Sequence, residues 1–221
     1  MSMTLNPVNE AAFQKAVQSL ETLNRAAVFH PTGTGKSCIT WKVVEAHPQT
    51  TFFWLVAGAQ RLALRQAELT RYNGGTLPGN VRFCDCEKLA AATPEQWVRL
   101  GEQKPGCIVL DCYHELSAVC WAQSVQKLLR MCPQAKVLGL GVPNGAPVCA
   151  AAQELFADCI VSHMTVAEAM AAGTMPVPSA YAALLWPQEE ELATLRARIK
   201  NLCMPKGDTS LRVQYEELSW R

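Results

Sequence analysis

The chain has 221 residues, 49% of them hydrophobic, and its 20 basic and 19 acidic side chains leave a formal charge of +1. That is ample apolar material for a globular core, and it excludes a long-range field that would draw in nucleic acid, so any such contact must come from a local patch. The opening MSMTLNPVNE has neither the basic nor the apolar region of a secretory leader, and no apolar run is long enough to span a bilayer, so a cytoplasmic protein without membrane contact is expected.

Apolar residues at Ala12, Phe13, Ala16, Val17, Leu20 and Leu23 recur at a helical period and predict a helix over 9–23. Residues 26–29 are apolar throughout, as in a strand buried on both faces of a parallel sheet. The run HPTGTGKS at 30–37 follows directly, and an amphipathic helix over 38–46 follows that. Further strands are predicted at 51–57, 81–84, 107–110, 136–140 and 159–162. Helices are predicted at 59–69, 88–92, 94–100, 121–131, 148–156 and 165–172, the last closed by Gly173. Thr93 and Pro94 mark a helix start, and 71–79 reads as a polar, glycine-rich loop. Pro176 and Pro178 open an exit segment leading to a charged helix over 188–203. Strands alternating with helices from 26 to about 172 imply a three-layer α/β domain with right-handed crossovers.

The strand, glycine loop and helix around 30–37 carry a specific chemistry. Gly33 and Gly35 permit backbone conformations closed to other residues, so successive N–H groups can turn inward around an anion at a helix N-terminus. Thr32, Gly33, Thr34 and Gly35 would then cradle a phosphate chain, with Lys36 as a mobile charge for the outer phosphates and the Ser37 hydroxyl as a ligand for Mg²⁺. This is a Walker A loop with His30 where the general pattern has glycine, and ATP or GTP is the expected ligand. Ligands of open α/β sheets lie beyond the carboxyl ends of the strands, and the run IVLDCYHE delivers Asp111 to such an end. Asp111 reads either as a cap or as the acid of a Walker B strand that holds Mg²⁺ through water.

Ten cysteines show no C-x-x-C spacing. Cys84 and Cys86 are the nearest approach to a metal pair, since alternate strand residues share a face, but no second pair completes a site, and buried thiols of a reducing compartment are the better reading.

HPTGTGKS, LDCYHE and VLGLGVP resemble motifs I, II and III of superfamily 2 DEAD/DEAH-box helicases, in the branch that includes type I and type III restriction subunits. The resemblance runs from the leading helix to about Trp186. It implies a RecA-like P-loop NTPase fold with a mainly parallel sheet over 1–186, followed by a charged helix and tail over 187–221. It also implies ATP and Mg²⁺ as ligands, Ser37 and Asp111 as metal-holding residues, and Asp111 and His114 as catalytic ones. In the family's D-E-x-H motif the glutamate activates the attacking water. Here that position is Cys112, a neutral thiol, so hydrolysis is expected to be slow or absent even if Glu115 contributes. The family's S-A-T motif is Gly141-Val142-Pro143, without hydroxyls. Arg61 and Gln66 stand where the family holds nucleic-acid phosphates, though the solvated face of an ordinary helix explains them equally, and Asp85 stands where a carboxylate would repel phosphate. The family reads adenine through an upstream glutamine, for which Gln14 is the candidate. Taken together these residues predict an ATP-binding, helicase-like domain with impaired hydrolysis and weak affinity for DNA or RNA, in need of a protein partner that supplies a second RecA-like domain. An active helicase or translocase subunit needing such a partner is one alternative, and a non-enzymatic interaction module is another.

Overall fold

The computed structural model describes residues 3–111, 113, 119–143, 154–177, 193–194 and 197. Nearly all of these lie in one compact unit, Met1–Val177. Its elements are α1 (Pro7–Thr22), β1 (Arg25–Phe29), α2 (Lys36–Ala46), β2 (Phe52–Val56), α3 (Ala59–Tyr72), β3 (Val81–Asp85), α4 (Cys86–Ala90), α5 (Pro94–Glu102), β4 (Cys107–Asp111), α6 (Val119–Met131), β5 (Lys136–Gly141), β6 (Ile160–His163) and α7 (Val166–Ala171). Of the predicted helix over 148–156, a helical turn at 154–156 is described, and the helix over 188–203 lies almost wholly outside the described residues.

The six strands form one sheet in the order β3-β2-β4-β5-β1-β6, and every pairing is parallel. β1, β2 and β4 are buried along nearly their whole length, which is why their sequences read as unbroken apolar runs. Alternate strand residues feed two separate cores. Ala26, Val28, Trp54, Val109 and Leu140 pack against α1, α2 and α3, while Ala27, Phe29, Phe53, Leu110 and Val137 pack under Trp97, Leu128 and Phe156 on the other side. The molecule therefore has the three layers its alternating elements imply.

Helix ends follow local chemistry. Asn6 caps α1 by accepting from the Asn9 amide, Thr93 and Gln96 form a reciprocal box at the start of α5, and Thr165 and Glu168 do the same for α7. Asp85 accepts from the Glu87 amide and so caps α4. Cys84 and Cys86 do not both lie on a strand, because β3 ends at Asp85 and Cys86 already begins α4, yet both side chains pack into the same core layer. Burial pushes Cys84 up to about 11 and Cys86 up to about 12, which keeps both protonated.

Candidate nucleotide site

The loop between β1 and α2 turns on Gly33 at φ +87° and Gly35 at φ +90°, both in the left-handed region that a side chain disfavours. Gly35 is the N-cap of α2 and no side chain caps that helix, so its first turn is presented as an anion site of the kind a phosphate fills. A Cβ on Gly35 would lie 2.8 Å from Asn9 Nδ2. That amide donates to the Thr34 carbonyl at 2.8 Å, tying the loop to α1. Thr34 Oγ1 donates to the Pro31 carbonyl at 2.8 Å. Lys36 Nζ folds back over the loop and donates to the carbonyls of His30 and Pro31 at 2.7 and 2.8 Å. These residues fit a phosphate group, since the glycines leave room for it and the lysine lies folded over the same loop. Ser37 follows in the first turn of α2, largely buried. Thr32 lies exposed at the tip of the loop.

His30, in the place of the pattern's first glycine, is fully buried. Its Nε2 lies 2.7 Å from Ser162 Oγ on β6, and its backbone amide donates to the Gly141 carbonyl at 3.2 Å. Burial, together with the charges of Lys36 and His163, lowers its pKa to about 4, so the ring is neutral. The histidine thus anchors the loop's base to the two strands that flank β1.

Asp111 pairs in register with Leu140, and Leu140 with Val28. Its side chain therefore emerges on the face covered by α2 and α3, two strands away from β1 and on the same side as the loop's helix. The carboxylate is 2% exposed. Oδ2 accepts from Arg65 Nε on α3 at 2.5 Å and from Trp54 Nε1 on β2 at 3.4 Å. Arg65 Nη1 donates in turn to Glu68 at 2.8 Å. Burial opposes the guanidinium charge, but the charges and hydrogen bonds of Asp111 and Glu68 outweigh it and raise the arginine above its ordinary range. Arg65, Asn9, Ser162 and Trp54 are all parts of the site that motif reading passes over.

His114, Cys112 and Glu115 lie outside the described residues. Gly141 ends β5 beside β1, and a Cβ there would meet Phe29 ring atoms at 2.6 and 2.7 Å and the Tyr113 ring at 3.1 Å. Of the two residues aligned with a nucleic-acid role, Arg61 is exposed and Gln66 half-buried on α3. Five residues apart, they stand about 140° apart around the helix and do not form one contact face. Gln14, on α1, is exposed and donates to Glu10 at 2.8 Å. Among the described residues no cluster of three or more His, Cys, Asp or Glu is placed to hold a metal, and no helix is long and apolar enough to cross a membrane.

Comparison with solved structures places this geometry. A hypothetical ATP-dependent RNA helicase from Sulfolobus tokodaii is similar at a TM-score of 0.50 and 10% identity, over 70% of this chain and 51% of that one. The SWI2/SNF2 ATPase core of Sulfolobus solfataricus in complex with dsDNA gives 0.49 at 13% identity, over 70% and 36% of the two chains. Domain III of the Thermotoga maritima replication initiation protein DnaA gives 0.44 at 11%, over 93% and 75%. The first likeness is one of fold, and with the strand order and the glycine loop it defines the class: a RecA-like P-loop NTPase fold. The chain spans about half the length of that helicase. No protein-family model and no curated sequence matches the chain.

Proposed function

We propose that this chain is an ATP-binding, first RecA-like domain of the superfamily 2 DEAD/DEAH type, on the restriction-subunit branch, that hydrolyses ATP slowly and holds DNA or RNA weakly. The observation that carries the reading is the loop at 30–37, where two left-handed glycines deliver an uncapped α2 beside a lysine resting on loop carbonyls.

In this reading the amides of Thr32 to Ser37 cradle the phosphates and Lys36 leaves the carbonyls of His30 and Pro31 to reach the outer ones. Ser37 and Asp111 are the residues that would hold Mg²⁺, Asp111 through water. When bound, Mg²⁺ screens the charge of the outer phosphates. Asn9 and His30 keep the loop in place from α1 and β6. His114 retains the family's coupling position, while Cys112 offers no carboxylate to orient or deprotonate water. Arg61 is the main candidate for phosphate contact with a nucleic acid and Gln66 a secondary one.

The match to about half of the Sulfolobus tokodaii helicase favours one alternative, an active helicase or translocase subunit completed by a protein partner that supplies the second RecA-like domain. The pairing of Asp111 with Arg65 favours the other, an interaction module without turnover.

The test is a calorimetric or fluorescence titration of ATP with Mg²⁺ on the wild type and on Lys36→Ala. Charge-assisted contacts to phosphate contribute about 1.5–3 kcal/mol, so the variant should bind about 10- to 100-fold more weakly. Equal affinities for the two proteins, or no binding by the wild type, would overturn the phosphate-cradle reading.

A further inference from the structure

Asp111 emerges on the loop's side of the sheet, yet its carboxylate is already engaged. Arg65 reaches it from α3, across 46 residues of sequence, and Trp54 donates to the same oxygen from β2. A guanidinium N–H on a carboxylate is a charge-assisted contact, and at this depth water does little to screen it. A divalent cation brought to the same carboxylate, even through water, would stand close to the guanidinium, and like charges so near each other in a poorly screened site repel. The two cations oppose each other.

The arrangement also gives Arg65 somewhere to go. Its Nη1 is bonded to Glu68 one turn further along α3, and both of those side chains reach solvent, at 21% and 24% exposure against 2% for Asp111. An arginine turned away from Asp111 keeps a carboxylate partner and regains water, so its displacement does not strand a buried charge.

We propose that Arg65 competes with the divalent cation for Asp111, so that the resting protein binds metal weakly at this position and gains it only as Arg65 swings toward Glu68. The inference rests on the reading of Asp111 as the acid beside a P-loop. It adds to that reading a residue of this chain that sets the metal affinity of the site.

The experiment uses Mn²⁺ alone, followed by electron paramagnetic resonance, on the full chain without nucleotide. It therefore stays readable even if ATP binding fails. Arg65→Gln should bind Mn²⁺ at least about tenfold more tightly than wild type, because apparent affinity scales with the fraction of protein in which the site is free. The gain should vanish in Arg65→Gln combined with Asp111→Asn. Equal Mn²⁺ affinity in wild type and Arg65→Gln, or a gain that survives loss of Asp111, overturns the proposal. Should Arg65→Gln fail to fold, Arg65→Met decides, because it keeps an apolar stem and removes the cation, so an Asp111-dependent gain over wild type supports the competition and its absence refutes it.

Discussion

A serine at position 141, where the helicase-like motif would have one, should destabilise the protein. The backbone of Gly141 is ordinary strand, but a Cβ placed on it would lie 2.6 and 2.7 Å from two Phe29 ring atoms and 3.1 Å from Tyr113. Those neighbours have no slack. Phe29 is 1% exposed and packs edge-on against Tyr113 at 5.1 Å between centroids, and Tyr113 packs edge-on against Phe156 at the same distance. Real side chains essentially never come closer than 3.0 Å at Cβ, so the rings must move by several tenths of an ångström within a close-packed layer. Overpacking of this kind costs about 1–3 kcal/mol. For a domain of this size that corresponds to a fall in Tm of roughly 2–12 °C. Thermal and urea unfolding of Gly141→Ser measure it directly. A double variant with Phe29→Leu should recover part of the loss, because removing ring volume makes room for the hydroxymethyl group. A Tm for Gly141→Ser within about 1 °C of wild type would refute the packing argument, and so would strict additivity of the two substitutions.

Other outcomes follow from the same geometry. His30 is held neutral at about 4 against 6.5 when unfolded, so below pH 6.5 the unfolded chain takes up the proton first. Its contribution to stability is complete above that pH and is lost as the pH falls through about 4, and His30→Gln should flatten this part of the urea midpoint profile. Cys112→Glu should raise ATP turnover from a low baseline by less than the roughly 10²- to 10⁴-fold a general base supplies, since position 141 still lacks its hydroxyl; a wild type already turning over on the order of 10 per second removes the premise. Nucleic acid should bind only in the range of about 10⁻⁴ to 10⁻⁶ M and weaken steeply with salt, and Arg61→Ala should abolish it; affinity that persists at high salt would show a larger contact surface than Arg61 provides.

The fold was legible because its physics is local. The central strands β1, β2 and β4 announce themselves as short apolar runs, since a parallel sheet covered on both faces leaves few polar positions inside, and proline, glycine and capping residues punctuate the rest. The glycine loop was legible for a similar reason, as its chemistry is written in consecutive residues. Arg65 was not. A basic residue on an amphipathic helix reads as solvated, and only the strand order, which sets β4 beside β2 and brings α3 over both, carries it to Asp111. Asn9 was hidden in the first turn of α1, where the sequence shows a polar helix start and not a clamp on Thr34. By motif position Asp85 counts only as a charge that repels phosphate, although an aspartate two residues before a helical amide is a cap by its own chemistry.

The strand ends around the loop differ in whether they can move. Coupling nucleotide state to motion needs an element with two arrangements of similar energy. The base of the loop is fastened through His30 to both neighbouring strands, and the end of β5 is sealed under Phe29 and Tyr113. Neither has a second arrangement to adopt without breaking a packed layer. Arg65 has one, because Glu68 stands ready to keep it when Asp111 is given up. Any response of this domain to nucleotide should therefore begin on α3, with the loop and β5 as a fixed frame. A ligand bound to such a frame raises stability by mass action alone, about 2.7 kcal/mol at a hundred times its Kd. ATP should raise the Tm of wild type without turnover, and Lys36→Ala should remove that rise while Arg65→Gln leaves it in place.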